Sequence, residues 1–238
     1  MKYKLCDIHA HIVPAIDDGA HNLQASIEIL EMASRQGVNS IICTSHHYGR
    51  LELYNKHLKV LQNEAQKKNI KINLYPGCEI YCSKNNIQNI INKLQTNYIP
   101  TINKSKYILV EFDPSVDINE IIYCTKQLIK CGYKPIIAHV ERYYNLFINN
   151  KYILLQTTGC LFQVNAYSLQ DARETRIKAF ARKLLKEKLI TFIGSDAHDI
   201  NYRPYIINNG VDYIYEHCDI EYAKDICYRN AESILNIS

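Results

Sequence analysis

The chain has 238 residues, 47% of them hydrophobic, which is enough to bury the core of one α/β barrel domain. Its 28 lysines and arginines against 24 acidic residues give a net charge of +4, which excludes the strongly basic surface of most nucleic-acid-binding proteins. No apolar run approaches the roughly 18–20 residues that a membrane span needs. Asp7, His9 and His11 interrupt the apolar region that a signal peptide would need near the start of the sequence.

The nine cysteines of the chain favour a reducing compartment. Their number is odd, their spacing is irregular and no C-x-x-C pair occurs, which argues against a zinc ribbon or a thioredoxin-like motif. Cys6, Cys43, Cys131 and Cys160 lie in or beside apolar runs, where a free thiol behaves as a small hydrophobic group, so we expect them to be core residues. We therefore expect a soluble, cytoplasmic protein with reduced cysteines.

Short apolar runs alternate with helical patterns along the whole chain. The runs predict seven strands, at residues 4–12, 38–45, 70–80, 106–112, 135–140, 160–165 and 189–196. The helical patterns cover residues 22–37, 51–68, 118–132 and 171–188, and the tail from about residue 202 is also helical. In the first helix, Leu23, Ile27 and Leu30 recur at helical spacing, and Gly37 ends the pattern.

Strands that alternate with helices predict βα units and a parallel sheet. No linker, low-complexity segment or internal repeat divides the chain, so we expect a single domain over residues 1–238. One β/α barrel is the simplest architecture, although a doubly wound open sheet has the same local pattern.

The predicted strands end in side chains that can bind a metal ion or move a proton. In chain order these are His9 and His11, with Asp18 in the next loop, then His46 and His47, Glu79, Glu111 and Asp113, His139 and Glu141, Asn165, and Asp196 and His198. The carboxyl ends of barrel strands form a single rim, where active sites lie. The histidines of the H-x-H pair also point to the same side of their strand. We expect these side chains to converge on one site.

Each of these residues has an ordinary explanation when it is taken alone. A histidine at a strand end is more often a hydrogen-bonded core or loop residue than a ligand, and Asp18 could belong to a turn at Gly19. Seven such explanations would be needed at once. Histidines mixed with carboxylates, without well-spaced cysteines, suit manganese, iron or zinc in a multinuclear cluster. About nine candidate ligands fit three ions better than one or two.

The ordered motifs resemble those of the polymerase and histidinol phosphatase (PHP) superfamily. They are H-x-H at 9–11, D-D-G at 17–19, S-H-H at 45–47, P-G-C-E-I-Y around Glu79, V-E-F at 110–112, H-V-E-R-Y at 139–143 and S-D-A-H at 195–198. They look closest to the manganese-dependent protein-tyrosine phosphatases of the CpsB/CapC/YwqE type. The H-x-H pair is shared with amidohydrolases and TatD-type nucleases, whereas the ordered set, from Asp7 to about Pro204, is specific.

The resemblance implies a distorted (β/α)7 TIM-like barrel of the PHP fold, with three divalent ions at the C-terminal ends of the strands. Manganese is the implied metal, with iron, cobalt and zinc as alternatives. The implied ligands of one ion are His9, His11, Glu79 and Asp196. Glu79 would bridge to a second ion held by Glu111 and His139, and the third ion would be held by Asp18, His46 and His198.

The resemblance also implies residues that act on phosphate. Arg142 and Arg203 match arginines of the family pattern, and a guanidinium fork fits phosphate oxygens. Glu141 would orient Arg142, and His198 is a candidate proton donor. The implied reaction is hydrolysis of phosphotyrosine by in-line attack of a metal-bridged hydroxide, without a phosphoenzyme.

The implied partner is a phosphotyrosine protein, namely a bacterial tyrosine autokinase with a tyrosine-rich tail that regulates capsular or exopolysaccharide biosynthesis. That substrate can be associated with the membrane, and the family resemblance is compatible with a homo-oligomer. The alternative within the same fold is a phosphatase for a small phosphomonoester such as histidinol phosphate. We expect no nucleic-acid partner.

Other classes of protein fit the sequence less well. A cysteine-based phosphatase needs Cys-x5-Arg, and the nearest sequence, C-T-S-H-H-Y-G-R from Cys43, is one residue too long. An amidohydrolase or a TatD-like nuclease predicts a different order of ligands, and amidohydrolases often carry a carboxylated lysine at a strand end. A metal-binding scaffold without activity would tolerate missing ligands, whereas here the set is complete.

Overall fold

The computed structural model describes residues 4–46 and 49–235, and these contain eight strands that pair in parallel. One sheet has the order β1 (Cys6–Ala10), β2 (Ser40–Cys43), β3 (Asn73–Pro76). The other has the order β4 (Glu79–Tyr81), β5 (Tyr107–Glu111), β6 (Lys134–Ile137), β7 (Leu161–Asn165), β8 (Phe192–Gly194). The prediction of an α/β fold with parallel strands is confirmed.

Helices connect the strands and form the tail. They are α1 (Leu23–Arg35), α2 (Leu51–Lys67), α3 (Ile87–Gln95), α4 (Ile118–Lys130), α5 (Tyr144–Phe147), α6 (Tyr152–Gln156), α7 (Ala166–Gln170), α8 (Thr175–Lys186), α9 (Asn208–His217), α10 (Ile220–Lys224) and α11 (Asn230–Leu235). The four predicted helices correspond to α1, α2, α4 and α8, although α8 begins later than expected. Within the described part of the chain, no helix has both the length and the hydropathy that a membrane crossing requires.

Helix α1 shows how the sequence sets the ends of an element. The side chain of Asn22 accepts a hydrogen bond from the Ala25 backbone N–H at 2.9 Å, which caps the first turn. The face with Ile27 and Leu30 is buried against the core, as the helical spacing predicts. Gly37 has a φ of 82°, a backbone conformation that glycine adopts readily, and the chain leaves the helix there toward β2.

The third predicted strand, residues 70–80, is wrong as a single element. Strand β3 ends at Pro76, which has no N–H to donate, and the Pro-Gly pair favours a turn. A Cβ atom on Gly77 would lie 2.8 Å from the Ile42 side chain, so glycine allows the turn to pass close to β2. The chain then enters the second sheet as β4, and Glu79 begins a strand rather than ending one.

Backbone hydrogen bonds outside the strand ladders connect the two sheets. The Glu79 N–H donates to the Thr44 carbonyl at 2.7 Å, which links the segment after β2 to β4. At the other edge, the Asp196 N–H donates to the His9 carbonyl at 2.7 Å, and the His11 N–H donates to the Ala197 carbonyl at 2.9 Å. Both connections involve residues that were predicted to form the site.

The interior is mostly apolar, and its buried charged side chains lie at or beside the predicted site. A large cluster of buried aliphatic and aromatic side chains packs the helices onto the sheets. A smaller cluster joins β1, β2, β5, β6 and β8 to α11, with Ile8, Leu109 and Phe192 among its strand residues. All nine cysteines are free thiols, as predicted, and all but Cys131 and Cys218 are buried. The prediction that Cys131 is a core residue is wrong, because it caps the C-terminal end of α4 at the surface.

Candidate metal centre

Four side chains from three parts of the chain meet at one point. His9 Nε2 lies 3.1 Å from His11 Nε2, and each nitrogen lies 3.0 Å from Glu79 Oε2. Asp196 Oδ1 lies 3.5 Å from His9 Nε2 and 3.8 Å from His11 Nε2. All four residues are buried, and their ligand atoms are close enough to hold one cation.

The strands place these side chains through simple geometry. His9 and His11 are alternate residues at the end of β1, so they project to the same side. Asp196 follows β8 with a φ of 54°, and His139 follows β6 with a φ of 32°. Both are left-handed conformations that cost energy for residues other than glycine, and such strain concentrates at functional sites.

The histidine rings are oriented by hydrogen bonds from their Nδ1 atoms. These bonds run from His9 to Gln163 Oε1 (3.0 Å), from His11 to Asp17 Oδ2 (2.7 Å), from His46 to the Glu79 carbonyl (2.9 Å) and from His198 to the Asp196 carbonyl (2.9 Å). Since each acceptor oxygen requires a proton on Nδ1, the neutral ring has its lone pair on Nε2. Every one of these four Nε2 atoms faces the cluster.

This arrangement fits a group of bound cations. In their neutral forms, His9 and His11 would aim two nitrogen lone pairs at each other across 3.1 Å, beside the Glu79 carboxylate. That contact is repulsive unless positive charge lies between the atoms. The buried His139 Nδ1 atom also has no hydrogen-bond partner among the described residues. Imidazole and carboxylate donors together suit divalent transition metals.

Two further groups of ligand atoms adjoin the first. Glu79 is shared with a group that contains His46 and Glu111, whose facing atoms, His46 Nε2 and Glu111 Oε1, lie 3.4 Å apart. His139 Nε2 also lies in this region, 3.0 Å from Glu79 Oε1 and 3.7 Å from Glu111 Oε2. His11 is shared with a group that contains Asp18 and His198.

All nine predicted ligand residues thus lie in one connected cluster. Their grouping differs from the one that the resemblance implies: His11 is shared with Asp18 and His198, and His139 is in none of the three groups of ligand atoms, although it lies beside Glu79 and Glu111. His46 falls with Glu79 and Glu111, and not with Asp18 and His198. Its assignment to a particular ion stays a prediction.

The negative charge of the cluster raises the pKa of the central histidines. Burial alone would lower the pKa of His11, but its hydrogen bonds to Asp17 and Glu79 raise it to about 10. For His9, burial is outweighed in the same way by the carboxylates of Glu79 and Asp196, and the pKa is raised. Burial would raise the pKa of Glu79, but the histidines hold it well below its ordinary value. The cluster therefore attracts protons or metal cations.

The outer members of the cluster differ in their protonation. Burial and the nearby Glu79 carboxylate raise the pKa of Glu111 to about 8. Burial and the neighbouring His11 lower the pKa of His198 to about 3. A neutral His198 keeps its one proton on Nδ1, which donates to the Asp196 carbonyl, and its Nε2 lone pair suits a metal ligand. The role of His198 as a proton donor stays a prediction.

The two predicted phosphate-binding arginines contact opposite oxygens of one carboxylate. Arg142 Nη2 lies 2.7 Å from Asp196 Oδ2 and donates to the Tyr167 hydroxyl at 2.9 Å. Arg203 Nη2 lies 3.0 Å from Asp196 Oδ1, and its Nη1 lies 3.4 Å from Asp18 Oδ2. The side chains are 26% and 40% exposed, so both can be reached from solvent.

A cleft of about 580 Å³ opens beside the arginines. Its lining includes Arg142, Tyr167, Arg173, Asp196, Tyr202 and Arg203. Cationic side chains and aromatic rings therefore meet next to the ligand cluster.

Glu141 does not hydrogen-bond to Arg142, the residue that it is predicted to orient, although the two charges are close enough to interact. Its Oε1 atom accepts hydrogen bonds from the Ser168 hydroxyl (2.7 Å) and the Asn165 N–H (3.1 Å). Its Oε2 atom is buried and has no hydrogen-bond partner among the described residues, so it does not orient Arg142 by a hydrogen bond. Burial raises the pKa of Glu141 to about 7. Asp196 and Tyr167 hold Arg142 instead.

Other strand-end residues have smaller roles. Asp113 is exposed and accepts hydrogen bonds from Ser115, so it does not join the cluster. Asn165 is buried and donates to Asp196 Oδ2 at 3.1 Å. His47 lies outside the described residues.

Two residues that orient ligands were missed. Asp17 binds the His11 ring and accepts from the His46 N–H at 2.8 Å, and Gln163 binds the His9 ring. The D-D-G motif drew attention to this loop, but spacing alone does not show which aspartate faces the histidine. Gln163 lies inside an apolar strand, where a lone amide has no recognisable pattern.

Comparison with known proteins agrees with this geometry. A family model described as capsular polysaccharide synthesis, CpsB/CapC, matches residues 5–236. A tyrosine-protein phosphatase CpsB of Streptococcus agalactiae is 30% identical over 243 residues, which cover 97% of this chain and 98% of the relative. A putative tyrosine-protein phosphatase CapC of Staphylococcus aureus is 36% identical over 214 residues, which cover 85% of this chain and 80% of the relative.

A solved structure also superposes on most of the chain. It comes from a study of YwqE of Bacillus subtilis and CpsB of Streptococcus pneumoniae, which are described as unique metal-dependent tyrosine phosphatases. The match has a TM-score of 0.87 at 29% identity, and it covers 98% of this chain and 94% of the other. With a family model that spans nearly every residue and relatives alike over their full length, the chain belongs to the CpsB/CapC family.

Proposed function

We propose that the chain is a metal-dependent protein-tyrosine phosphatase, a hydrolase of phosphoric monoesters. The observation that carries this proposal is the position of Arg142 and Arg203 at the edge of a buried cluster of imidazoles and carboxylates. A phosphate dianion needs cations on several sides, and this site offers guanidinium groups on one side and metal ligands on the other. The names of the CpsB and CapC relatives support phosphotyrosine as the substrate.

We propose three manganese ions as the cofactor. The number is supported by the three groups of ligand atoms, and manganese by the mixture of histidine and carboxylate donors. The ligands would be His9, His11, Asp18, His46, Glu79, Glu111, His139, Asp196 and His198. When bound, such ions lower the pKa of a water molecule and offset the charge of a phosphoryl group.

The side chains of the site divide the remaining work. The guanidinium groups of Arg142 and Arg203 would bind phosphate oxygens and stabilise the charge that develops in the transition state. Asp196 holds both groups through separate oxygens, which limits their rotation before substrate arrives. A tyrosine leaving group has a pKa near 10, so it needs less help from a proton donor than a serine would. This fits a site in which His198 is neutral.

We propose a bacterial tyrosine autokinase of capsular or exopolysaccharide biosynthesis as the physiological substrate. The description of the family, capsular polysaccharide synthesis, supports this pathway. Nine free cysteines support a reducing, cytoplasmic location. The direct test is incubation of the autophosphorylated kinase with the Mn²⁺-loaded chain, followed by detection of phosphotyrosine. A kinase that keeps its phosphate while a phosphotyrosine peptide is hydrolysed would contradict the assignment of the partner.

We also propose that the two sheets are parts of one distorted (β/α)7 barrel in a single domain. The hydrogen bonds from Glu79 to Thr44 and from His11 to Ala197 support this architecture, since they connect the sheets at both edges. In a barrel of this kind the ligands would share one rim, which agrees with their convergence.

Comparison of two substrates tests the proposed activity. The chain is freed of metal with a chelator, reloaded with Mn²⁺, and assayed with a phosphotyrosine peptide and with histidinol phosphate. We expect chelation to abolish activity, Mn²⁺ to restore it, and the peptide to be hydrolysed with the higher kcat/KM. A higher kcat/KM for histidinol phosphate would replace the proposed substrate with a small phosphomonoester.

A further inference from the structure

Gln163 is a buried amide in the middle of β7 that contacts two predicted metal ligands directly. Its Oε1 atom accepts hydrogen bonds from the His139 backbone N–H at 2.8 Å and from His9 Nδ1 at 3.0 Å. Its Nε2 atom donates to Asn165 Oδ1 at 2.9 Å. Both the oxygen and the nitrogen of this uncharged amide thus form hydrogen bonds at the edge of the cluster.

The direction of these hydrogen bonds is fixed by one backbone group. The His139 N–H can only donate, so the amide atom that it contacts is the oxygen. The same oxygen then obliges His9 to carry its proton on Nδ1. His9 Nε2 is left with a lone pair that faces Glu79 and Asp196. Gln163 therefore sets the tautomer that a metal ligand needs.

Hydrogen bonds through a second amide, Asn165, connect Gln163 to a third predicted ligand, Asp196. Since Gln163 Nε2 donates to Asn165 Oδ1, the Asn165 Nδ2 atom is the donor to Asp196 Oδ2, at 3.1 Å. Gln163 and Asn165 are alternate residues of β7, so they project to the same side. Through them, β7 holds His9, His139 and Asp196, which lie on or after three other strands.

The neighbouring strand leaves space for this amide. A Cβ atom on Gly194 of β8 would lie 2.9 Å from Gln163 Nε2 and 2.6 Å from His9 Cβ. Contacts this short would force both side chains to move. The close approach of β1, β7 and β8 is thus built around Gln163.

We propose that Gln163 is a positioning residue for the metal centre. It fixes the His9 tautomer and holds His9, His139 and Asp196 in their positions relative to one another. This inference rests on the proposed function in that the cluster must bind metal ions. It assigns to Gln163 the part of an outer hydrogen-bond partner of metal ligands, whose loss typically lowers metal affinity or activity by about 10- to 100-fold.

Two substitutions separate positioning from packing. Gln163→Leu has a similar volume but neither accepts nor donates, whereas Gln163→Glu keeps an acceptor oxygen for His9 and His139. If Gln163 positions the ligands, the Glu variant keeps more Mn²⁺ affinity than the Leu variant. If Gln163 only fills space, Gln163→Leu keeps the wild-type Mn²⁺ affinity because it keeps the volume, and any gain in Gln163→Glu comes from the added negative charge alone.

The measurement is Mn²⁺ affinity, by titration of the Mn²⁺-loaded full-length chain with a competing chelator. We expect Gln163→Leu to lose about 10- to 100-fold in affinity. Gln36→Leu is the matched control. Like Gln163, Gln36 accepts two hydrogen bonds and donates one: it accepts from the N–H groups of Ile207 and Asn208 and donates to the Tyr205 carbonyl. We expect Gln36→Leu to lower the melting temperature and to leave Mn²⁺ affinity unchanged. If Gln163→Leu does not fold, Gln163→Met takes its place, since methionine adapts to irregular space.

Two results would overturn the proposal. One is a Leu or Met variant that binds Mn²⁺ as tightly as the wild type, and the other is a Glu variant that binds more weakly than they do. A wild-type chain that binds Mn²⁺ but does not hydrolyse phosphotyrosine would contradict the proposed function and leave the role of Gln163 to be decided by the order of the variants.

Discussion

At the scale of the residue, the contacts of Asp196 with Arg142 and Arg203 both keep the carboxylate ionised and hold the two guanidinium groups in place. The Asp196 carboxylate is fully buried, yet Arg142, Arg203 and the histidines lower its pKa, although burial opposes them. The aspartate thus stays ionised while it holds two guanidinium groups at the edge of the cleft. A phosphate group that enters the cleft would meet donors that are already oriented.

The first prediction concerns Arg142. We expect Arg142→Ala to lower kcat/KM for a phosphotyrosine peptide by about 10²–10³-fold, because one donor to the developing charge is lost. Arg142→Lys should recover part of the loss, since it restores the charge but not the guanidinium fork. Steady-state kinetics of the Mn²⁺-loaded variants measure both effects.

The control for Arg142 is Arg229→Ala, which removes an exposed arginine that pairs with Glu221 on the tail. Its kcat/KM should match that of the wild type. An Arg142→Ala variant with the kinetics of this control would refute the role of Arg142.

The second prediction concerns the competition between protons and Mn²⁺ for the side chains of His9 and His11. The pKa of His11 is raised to about 10, so its ring binds a proton at pH 7 in the metal-free chain, and the pKa of His9 is raised as well. A metal ion requires their lone pairs, so protons compete with it. We therefore expect Mn²⁺ binding to release protons and the apparent affinity to increase as pH rises from 6 to 8. Calorimetry in buffers of different ionisation enthalpy measures the protons released. Affinity that does not change with pH would contradict this account.

At the scale of the element, close packing of strands sets the position of the ligands. Strand β8 lies beside β7 through its ladder and contacts β1 through the segment that follows it. Gly194 ends β8 where the side chains of His9 and Gln163 come nearest. The glycine is needed here because two neighbouring side chains occupy the space of a Cβ atom.

The third prediction follows from that contact. We expect Gly194→Ala to lower the free energy of unfolding by about 1–3 kcal/mol, the usual cost of overpacking, and to weaken Mn²⁺ binding because His9 is displaced. Chemical denaturation and chelator titration measure the two effects. Ile193→Val, a small change in the same strand, should alter stability slightly and Mn²⁺ affinity not at all. Unchanged Mn²⁺ affinity in Gly194→Ala would show that β8 does not position His9.

The elements also show what the sequence predicts well and what it does not. His9 and His11 could be placed on one side of β1, because spacing by two fixes direction in a strand. The convergence of distant strand ends followed from the carboxyl rim of parallel strands. The break between Pro76 and Glu79 was missed although the Pro-Gly pair marked a turn, because the apolar run continued across it. Gln163 was missed because its partners come from other strands, which one-dimensional spacing cannot show.

At the scale of the whole molecule, a metal-dependent phosphatase and a cysteine-based phosphatase predict opposite effects of thiol modification on activity. Cys43, the one cysteine near a Cys-x5-Arg spacing, is fully buried in β2, and burial raises the pKa of its thiol. A buried neutral thiol is a poor nucleophile. Cys131, by contrast, is exposed at the C-terminal end of α4.

The fourth prediction is that thiol modification leaves the enzyme active. Iodoacetamide should modify Cys131 in the Mn²⁺-loaded chain, because that thiol is exposed, without loss of phosphatase activity. Mass spectrometry identifies the modified residue, and the same sample is assayed with a phosphotyrosine peptide. Cys131→Ser controls for modification at other sites. Inactivation in parallel with the labelling of Cys43 would point to thiol catalysis.

The central claim is that imidazoles and carboxylates from distant strands enclose a cluster of metal ions beside two arginines. Anomalous X-ray diffraction from crystals of the Mn²⁺-loaded chain, collected on both sides of the manganese absorption edge, tests it most directly. We expect manganese peaks among His9, His11, Glu79 and Asp196, and in the two adjoining groups around Glu111 and His198. A crystal grown with excess Mn²⁺ that shows no manganese peak at His9, His11, Glu79 and Asp196 would contradict the account.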